Sequence, residues 1–481
     1  MSQKSLTVNA LLNMIKSISS IVFPLITFPY ASRILLPEGM GKVNFANNIT
    51  SYFVLIATLG IYNYGIREST KLRNDREKLS CFVKEITVLH ICATIIAYLL
   101  FLTALFFVPK LLEYRNLLLL SSLSIVFSCI EISWLYVAEE EYEYITVRTI
   151  IFQIISIALL FTSVHTKDDL MNYMLLCVVS NVGASILNFI HSNKYIDWMK
   201  FQELHPIKHL KPIFVFFSAY VVTSIYTLLD SSMLGFLSSD TEIGYYSAAT
   251  KINKIIITLI TAITTVLVPR LSEYRMKNDI ESLKKLFNKA FSFVLYLSIP
   301  ATAGLILLSD DIIILLSGQN YIPALSSMII IAPIMIMIPI SSLIGGQLYP
   351  VMNKEKITLL SVLIGAIMNF CINAMLIPKL GSKGAAIGTL IAESSVAIIQ
   401  IFFSQKFINK RYIYPTVVKT VFSTIIMCIP LILIKRYAQL SSFLSILICI
   451  PAGMFIYASV SILFKEKTAL EIVRHIPFIK N

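Results

Sequence analysis

Ionisable side chains inside long apolar stretches are the residues of this sequence best suited to chemistry: Lys16, Glu131, Arg148, Asp230, Lys251, Lys254, Glu393 and Lys419. A charge at the centre of a hydrocarbon layer costs about 2.5–3.5 kcal/mol on insertion scales, so such a residue faces a partner or a wet cavity. Lys251 and Lys254 are three apart and share one face of a helix, roughly 12–17 Å below its outer end at about 1.5 Å per residue. Asp230, on the preceding span, lies at about 10 Å depth by the same rise. The simplest reading is a Lys251–Asp230 pair between adjacent antiparallel helices, which leaves Lys254 as a cation suited to an anionic ligand. Glu131 and Arg148, on consecutive spans, are expected to pair towards the inner side. Lys16 is about 9 Å from the inner end of its span, where it either snorkels to the interface or faces a cavity. Glu393 meets no predicted charge at its depth and is either a neutral buried acid or an ion-coupling site. Lys419, four residues into its span, is expected to snorkel.

Chemistry of other kinds finds little support. The seven cysteines show no CxxC and no histidine at ligand spacing, so neither a disulfide framework nor a zinc site is expected. Asp310 and Asp311 form the one external acidic pair, without a His or second acidic cluster beside them, and read as solvated loop carboxylates. The run Glu139, Glu140, Glu141 and Glu143 likewise reads as a solvated inner loop. No catalytic residue, metal or bound cofactor is expected, and the chain reads as a non-enzyme.

The elements that carry these residues are membrane helices. The chain has 481 residues, 57% hydrophobic and 14% charged, against roughly 25% charged in a soluble domain; mean hydropathy is +0.78. A bilayer span needs about 20 mostly apolar helical residues. Fourteen stretches qualify: 10–32, 43–65, 85–108, 117–138, 145–163, 170–192, 212–237, 243–269, 290–309, 322–349, 357–378, 385–405, 415–434 and 441–464. The first has no small-residue cleavage site after it and reads as a retained helix. Pro24 and Pro29 are expected to bend it, and Pro333, Pro339, Gly345 and Gly346 give the tenth span similar freedom. With the N-terminus inside, inner segments hold 26 of the 40 Lys and Arg, outer loops hold 9, and five lie within spans. This asymmetry puts both termini in the cytoplasm. The net charge of +13 therefore belongs to loops facing anionic membrane lipids, and nucleic acid is not an expected partner. Every outer loop is short, the longest around Ser309 to Tyr321, which disfavours an external catalytic domain.

An internal repeat organises the spans. Shifting the chain by 203 residues places Gly41, Ala46, Ile49, Thr58, Arg67 and Ser69 on Gly244, Ala249, Ile252, Thr261, Arg270 and Ser272. Each copy runs into a basic loop containing Asn-Asp, at Asn74–Asp75 and Asn278–Asp279. The offset spans an even number of crossings, so the copies share one orientation. The expected fold is all-α and polytopic: a lobe of six helices over 1–205, a second over 206–410, and two further helices with a cytoplasmic tail over 411–481.

Ile26-Thr-Phe-Pro-Tyr30, Arg33 to Ala46 (RILLPEGMGKVNFA) and Leu59-Gly-Ile-Tyr-Asn-Tyr-Gly-Ile-Arg67 resemble the N-terminal signature of Wzx-type polysaccharide flippases. These are the O-antigen and capsule repeat-unit translocases of the MOP exporter superfamily. Further matches are Asp230-Ser-Ser-Met-Leu-Gly235 with Glu242 to Ala249, and Gly384-Ala-Ala-Ile-Gly388. The resemblance covers essentially the whole chain. It implies that an undecaprenyl-pyrophosphate-linked oligosaccharide is moved from the cytoplasmic to the outer leaflet of the bacterial plasma (inner) membrane by alternating access, with H+ or Na+ coupling, along a path between lobes. A polysaccharide polymerase and a chain-length regulator are the implied protein partners. On that reading Lys16, Lys251 and Lys254 are candidates for a cationic lumen, with Arg33 and Arg67 near its mouths. Asp230 and Glu393 are candidates for ion coupling, and Glu131 with Arg148 for an ion pair. The alternatives are a multidrug antiporter, whose cavity would be acidic or apolar, a lipid II flippase of the same superfamily, and a non-transporting partner of a polymerase.

Overall fold

The computed structural model describes residues 6–200, 203–265, 267–438 and 440–475. Helices account for nearly all of them, and no strand occurs among the described residues. The fold is that of an all-α polytopic membrane protein. Contacts divide the chain into two compact units, Met1–Gly244 and Tyr245–Asn481. The division by packing thus falls later than the division by repeat.

In the first unit, α1 (Leu6–Thr58) is followed by α2 (Ile61–Leu72), α3 (Arg76–Phe107) and the short α4 (Pro109–Leu112). Then come α5 (Arg115–Ser121), α6 (Leu123–Ser128), α7 (Ser133–Ala138), α8 (Tyr142–Ser163), α9 (Leu170–His191) and α10 (Leu210–Leu237). The first two expected spans are joined in α1. Its dihedrals stay helical through Pro24 and Pro29, where bends were expected, and leave the helical region at Leu36 alone (φ 60°, ψ 172°). Leu36 precedes Pro37, and a proline ring disfavours the helical conformation of the residue before it; Phe23 and Phe28 stand under the same constraint and stay helical. Two successive left-handed residues, Leu59 and Gly60, end α1. α1 packs against α3, α8 and α10, and α8 against α9.

The helix α11 (Asp240–Thr265) runs from the first unit into the second. It is followed by α12 (Val268–Met276), α13 (Ile280–Leu307), α14 (Ser309–Ser317), α15 (Ala324–Ile331), α16 (Ile334–Ser341) and, after a π-helical turn Ser342–Leu348, α17 (Tyr349–Val351). The remainder comprises α18 (Glu355–Leu380), α19 (Ser382–Ser404), α20 (Lys410–Tyr437), α21 (Ser442–Leu463) and α22 (Lys467–His475). Here α18 packs on α19, and α13 and α21 pack on α20.

Eleven helices among the described residues are long and apolar enough to cross a membrane. Three departures from the fourteen expected spans account for the difference. The first two form one segment, the fourth is cut into α5, α6 and α7, and the eighth, α11, carries Asp240, Glu242, Lys251 and Lys254 along its length. The repeat has a local structural form. In each copy a long helix gives way to a short amphipathic one, α2 or α12, and an Asp then caps the next long helix: Asp75 Oδ1 accepts from the Lys78 N–H at 3.1 Å and Asp279 Oδ1 from the Ser282 N–H at 2.9 Å.

Two sequence expectations about loops are corrected. Asp310 and Asp311 are not a solvated pair: they open α14, both meet Lys435 of α20, and Asp311 accepts from Ser445 Oγ of α21 at 2.8 Å. Nor are Glu139, Glu140 and Glu141 a solvated run. Glu139 and Glu140 pair with Arg73, and Glu141 with Lys194 and His191. In both places cations from neighbouring helix ends reach the carboxylates, a contact that linear spacing does not reveal.

Candidate functional site

The break in the fourth span positions the site. Between α6 and α7 the backbone is non-helical, and Glu131 lies in that gap with its Oε1 accepting the N–H of Ser133, the first residue of α7, at 3.1 Å. Irregular backbone inside an apolar segment is tolerated where it lines a protein cavity. Such a cavity is present, with a volume of about 730 Å³, framed by α1, α6, α8 and α9. Its lining is polar for an apolar bundle: Thr50 and Ser51 on α1, Glu131, Arg148 and Gln153 on α8, and Ser185 on α9.

Glu131 and Arg148 were expected to pair directly, and the structure instead joins them through Asn188. The Asn188 amide nitrogen donates to Glu131 Oε2 at 3.2 Å, and its carbonyl oxygen accepts from an Arg148 guanidinium nitrogen. Ser185 Oγ donates to Glu131 Oε2 at 2.8 Å, and the Asn188 backbone carbonyl accepts from the Tyr136 hydroxyl. The carboxylate is thus held by three donors, while Arg148 Nε is buried with no hydrogen-bond partner and the guanidinium lies 6.0 Å from the Tyr144 ring centroid. Lys16, half-buried on α1, lies within electrostatic reach of both Arg148 and Glu131. The α1 backbone reaches α8 here, with Thr146 Oγ1 donating to the Leu12 carbonyl at 3.1 Å. Two cations against one well-satisfied carboxylate leave the cluster net positive, with donors to spare for an anion.

The other residues singled out in the sequence lie elsewhere. Arg33 is exposed on α1. Arg67, exposed on α2, is engaged by Glu68 at 2.9 Å and by the Phe216 ring at 5.0 Å. Asp230 is buried in the first unit; Lys251, half-buried, and Lys254, exposed, belong to the second. Glu393 is half-buried on α19 and takes part in an interaction there. Lys419 donates to the Lys465 carbonyl at 2.9 Å. Among the described residues no group of three or more His, Cys, Asp or Glu could hold a metal ion.

Asn188 and Ser185 carry no charge, so a search for ionisable residues in spans passes over them. The signal that finds them is spacing. Ser185 and Asn188, three apart, share one face of α9, as Asn47, Thr50, Ser51 and Thr58 do on α1.

Comparison with known proteins fits this polar interior. The model of the family described as "Polysaccharide biosynthesis protein" matches residues 6–275. The chain belongs to that family. A second family model, MatE, matches residues 216–377. A putative O-antigen transporter of Escherichia coli (strain K12) is 25% identical over 390 residues, covering 80% of this chain and 93% of the relative. A probable low-salt glycan biosynthesis flippase of Haloferax volcanii is 23% identical over 277 residues, 56% of this chain and 58% of the relative's length. Among solved structures, the lipid II flippase MurJ in an inward closed conformation superposes with a TM-score of 0.74 at 19% identity, over 95% of this chain and 99% of that one. An inward-facing multidrug resistance MATE transporter of the MOP superfamily gives a TM-score of 0.63 at 13% identity, over 80% and 93%. The family member described here therefore has the fold of the MOP superfamily transporters.

Proposed function

We propose that this chain is a flippase, a transporter and not an enzyme, that moves an undecaprenyl-pyrophosphate-linked oligosaccharide repeat unit from the cytoplasmic to the outer leaflet of a bacterial plasma (inner) membrane by alternating access, in O-antigen or capsule synthesis. The observation that carries the reading is the cavity inside an apolar helix bundle, lined by Arg148, Glu131 and the hydroxyls of α1 and α9, with Lys16 within electrostatic reach of that pair. A pyrophosphate and sugar hydroxyls need donors and water in place of hydrocarbon, and this lining supplies both kinds of contact. Family membership supports the same substrate class. The excess of Lys and Arg in alternate loops supports cytoplasmic termini. Lys251, Lys254 and Arg33 remain candidates for substrate contact, whereas Arg67 is already engaged by Glu68. Asp230 and Glu393 are the candidates for coupling to H+ or Na+. A polysaccharide polymerase and a chain-length regulator are the expected partners.

The test is deletion in the native host with assay of surface polysaccharide and of lipid-linked repeat units on each leaflet. Loss of surface polymer with intact repeat units retained on the cytoplasmic face is the expected result. Normal surface polymer in a strain without a second flippase would overturn the proposal. The match of the MatE model to residues 216–377 favours one other reading, a multidrug antiporter; on that reading the deletion strain would keep its polymer and become drug-sensitive.

A further inference from the structure

A second cavity, of about 840 Å³, lies wholly within the second unit and is lined by six cations: Lys284, Lys285 and Lys289 of α13, Lys406 of the turn after α19, and Lys410 and Arg411 at the start of α20. What holds these two groups of cations together is Asn288. Its amide nitrogen donates to the Phe407 carbonyl at 2.8 Å and its carbonyl oxygen accepts the Asn409 N–H at 2.7 Å. The clamp is buried and lies one turn from Lys284 and Lys285 on one strand of chain and within two residues of Lys410 and Arg411 on the other. Two carboxylates share the lining, and one of them, Glu471 of α22, is taken by Lys289 at 2.7 Å; the other, Glu281, is exposed. Among the described residues Lys284, Lys285, Lys406, Lys410 and Arg411 form no ion pair. Like charges fixed around one hollow repel one another until an anion joins them.

The depth of the cavity says which anion. Both α13 and α20 become apolar beyond it and are long enough to cross a membrane, so the cavity stands at the end of two crossing helices, at head-group level. Exposed aromatics flank it in sequence, Phe402 and Phe403 on one side and Tyr414 on the other, as at a membrane–water interface. We infer that this cavity binds the phosphate head group of an anionic membrane lipid, at a site separate from the polar cavity of the first unit. Basic pockets between membrane helices on the cytoplasmic side take such head groups, and the orientation read from the loops puts these cations on that side.

The test is native mass spectrometry of the purified full chain after equilibration with phosphatidylglycerol or phosphatidylcholine of the same acyl chains, with inorganic phosphate as competitor. The wild type should retain phosphatidylglycerol in preference to phosphatidylcholine, and the preference should fall as salt is raised. Lys284→Gln with Arg411→Gln should reduce retention by about tenfold or more, Lys284→Arg should keep it, and Lys277→Gln, at an exposed lysine paired with Glu273 outside the cavity, should leave it unchanged. Equal retention of the two lipids by the wild type, or equal phosphatidylglycerol retention by the double variant, would overturn the site. Displacement of the lipid by millimolar inorganic phosphate would overturn the lipid as occupant in favour of a soluble phosphate. The readout is lipid retention, so failure of the flippase reading would not alter it.

Discussion

Gly41 and Gly244 exchange neighbours across one helix crossing. A Cβ on Gly41 would stand 1.8 Å from the Asp240 carbonyl oxygen, and a Cβ on Gly244 would stand 2.1 Å from that of Pro37. Under the shift of 203 residues Gly41 corresponds to Gly244 and Pro37 to Asp240, so the two contacts are the same contact made twice with the copies interchanged. This contact is thus a local counterpart of the repeat seen in the sequence. It also explains the glycines, since backbones this close leave no room for a side chain.

Gly41→Ala and Gly244→Ala should therefore each destabilise the protein, because the added methyl meets backbone that cannot rotate away; overpacking of this kind costs about 1–3 kcal/mol. Gly304→Ala is the control. It lies inside α13 with nothing within 4 Å of the added Cβ, and should be neutral or stabilising by about 0.4–1 kcal/mol. Thermal unfolding of the three purified variants in detergent checks the pattern, and unchanged midpoints for Gly41→Ala and Gly244→Ala would refute the crossing.

In the polar cavity, Arg148→Ala removes both a cation of the lining and the hydrogen bond to Asn188, and should lower glycan export by about tenfold or more. Asn188→Ala leaves Arg148 charged but lets it swing from its position, and should lower export by less. Lys16→Ala is expected to fall between them. Surface polymer measured in complemented deletion cells, with membrane protein levels matched, reads the order. Wild-type export by all three would remove the cavity from the transport path.

Charge in spans made part of this cluster legible from sequence: Lys16, Glu131 and Arg148 are conspicuous because ions in hydrocarbon are costly. The linker was not, because a neutral Asn among apolar residues has many uses and only the fold brings α9 between the fourth and fifth spans. The long apolar helices were legible from hydropathy, but neither their number, since fourteen expected stretches correspond to eleven such helices among the described residues, nor the break that holds Glu131, since Ser, Cys and Ile around it break no hydropathy rule. The Asn-Asp of each repeat copy was visible as a pattern, and its reason, an Asp capping the next helix, needed the backbone. Pro24 and Pro29 drew attention in the sequence, whereas the one residue of α1 outside helical dihedrals lies before a third proline, Pro37.

The acidic loop before α8 should show opposed pH effects at neighbouring residues. Burial raises the Glu141 carboxyl pKa, but hydrogen bonds from Lys194, Tyr195 and His191 outweigh it, and the net shift is downward. Glu139 is shifted upward, chiefly by burial, with Arg73 only partly offsetting it. A lowered folded pKa means that the folded state binds fewer protons than the unfolded one, so the Glu141 contribution is present above the unfolded value of about 4.3 and lost as pH falls through the folded one. The raised pKa of Glu139 has the reverse sign, stabilising at low pH and losing that contribution as pH rises. Glu141→Gln should flatten the acid limb of a stability profile below about pH 4.3, and Glu139→Gln should flatten the decline above it. Midpoints of unfolding across pH 3 to 7 measure both, and parallel profiles for the two variants would contradict the assignment.

The ion cluster of the second unit offers a stability test of its own. Lys435 of α20 meets Asp310 and Asp311 at the start of α14 and donates to the Leu307 carbonyl at 2.9 Å, while Asp311 is buried and bonded to Ser445. Removing the cation leaves a buried carboxylate without its counter-charge, so Lys435→Met should cost about 1–3 kcal/mol. Asp311→Asn removes the charge but keeps an oxygen for Ser445. The double variant Lys435→Met with Asp311→Asn should therefore recover part of the loss, because the penalty lies in the uncompensated charge and not in the absence of a contact. Detergent-state unfolding midpoints for the two single variants and the double variant close the cycle. Strict additivity would show that Lys435 and Asp311 are not coupled and would leave Asp310 as the carboxylate that Lys435 serves.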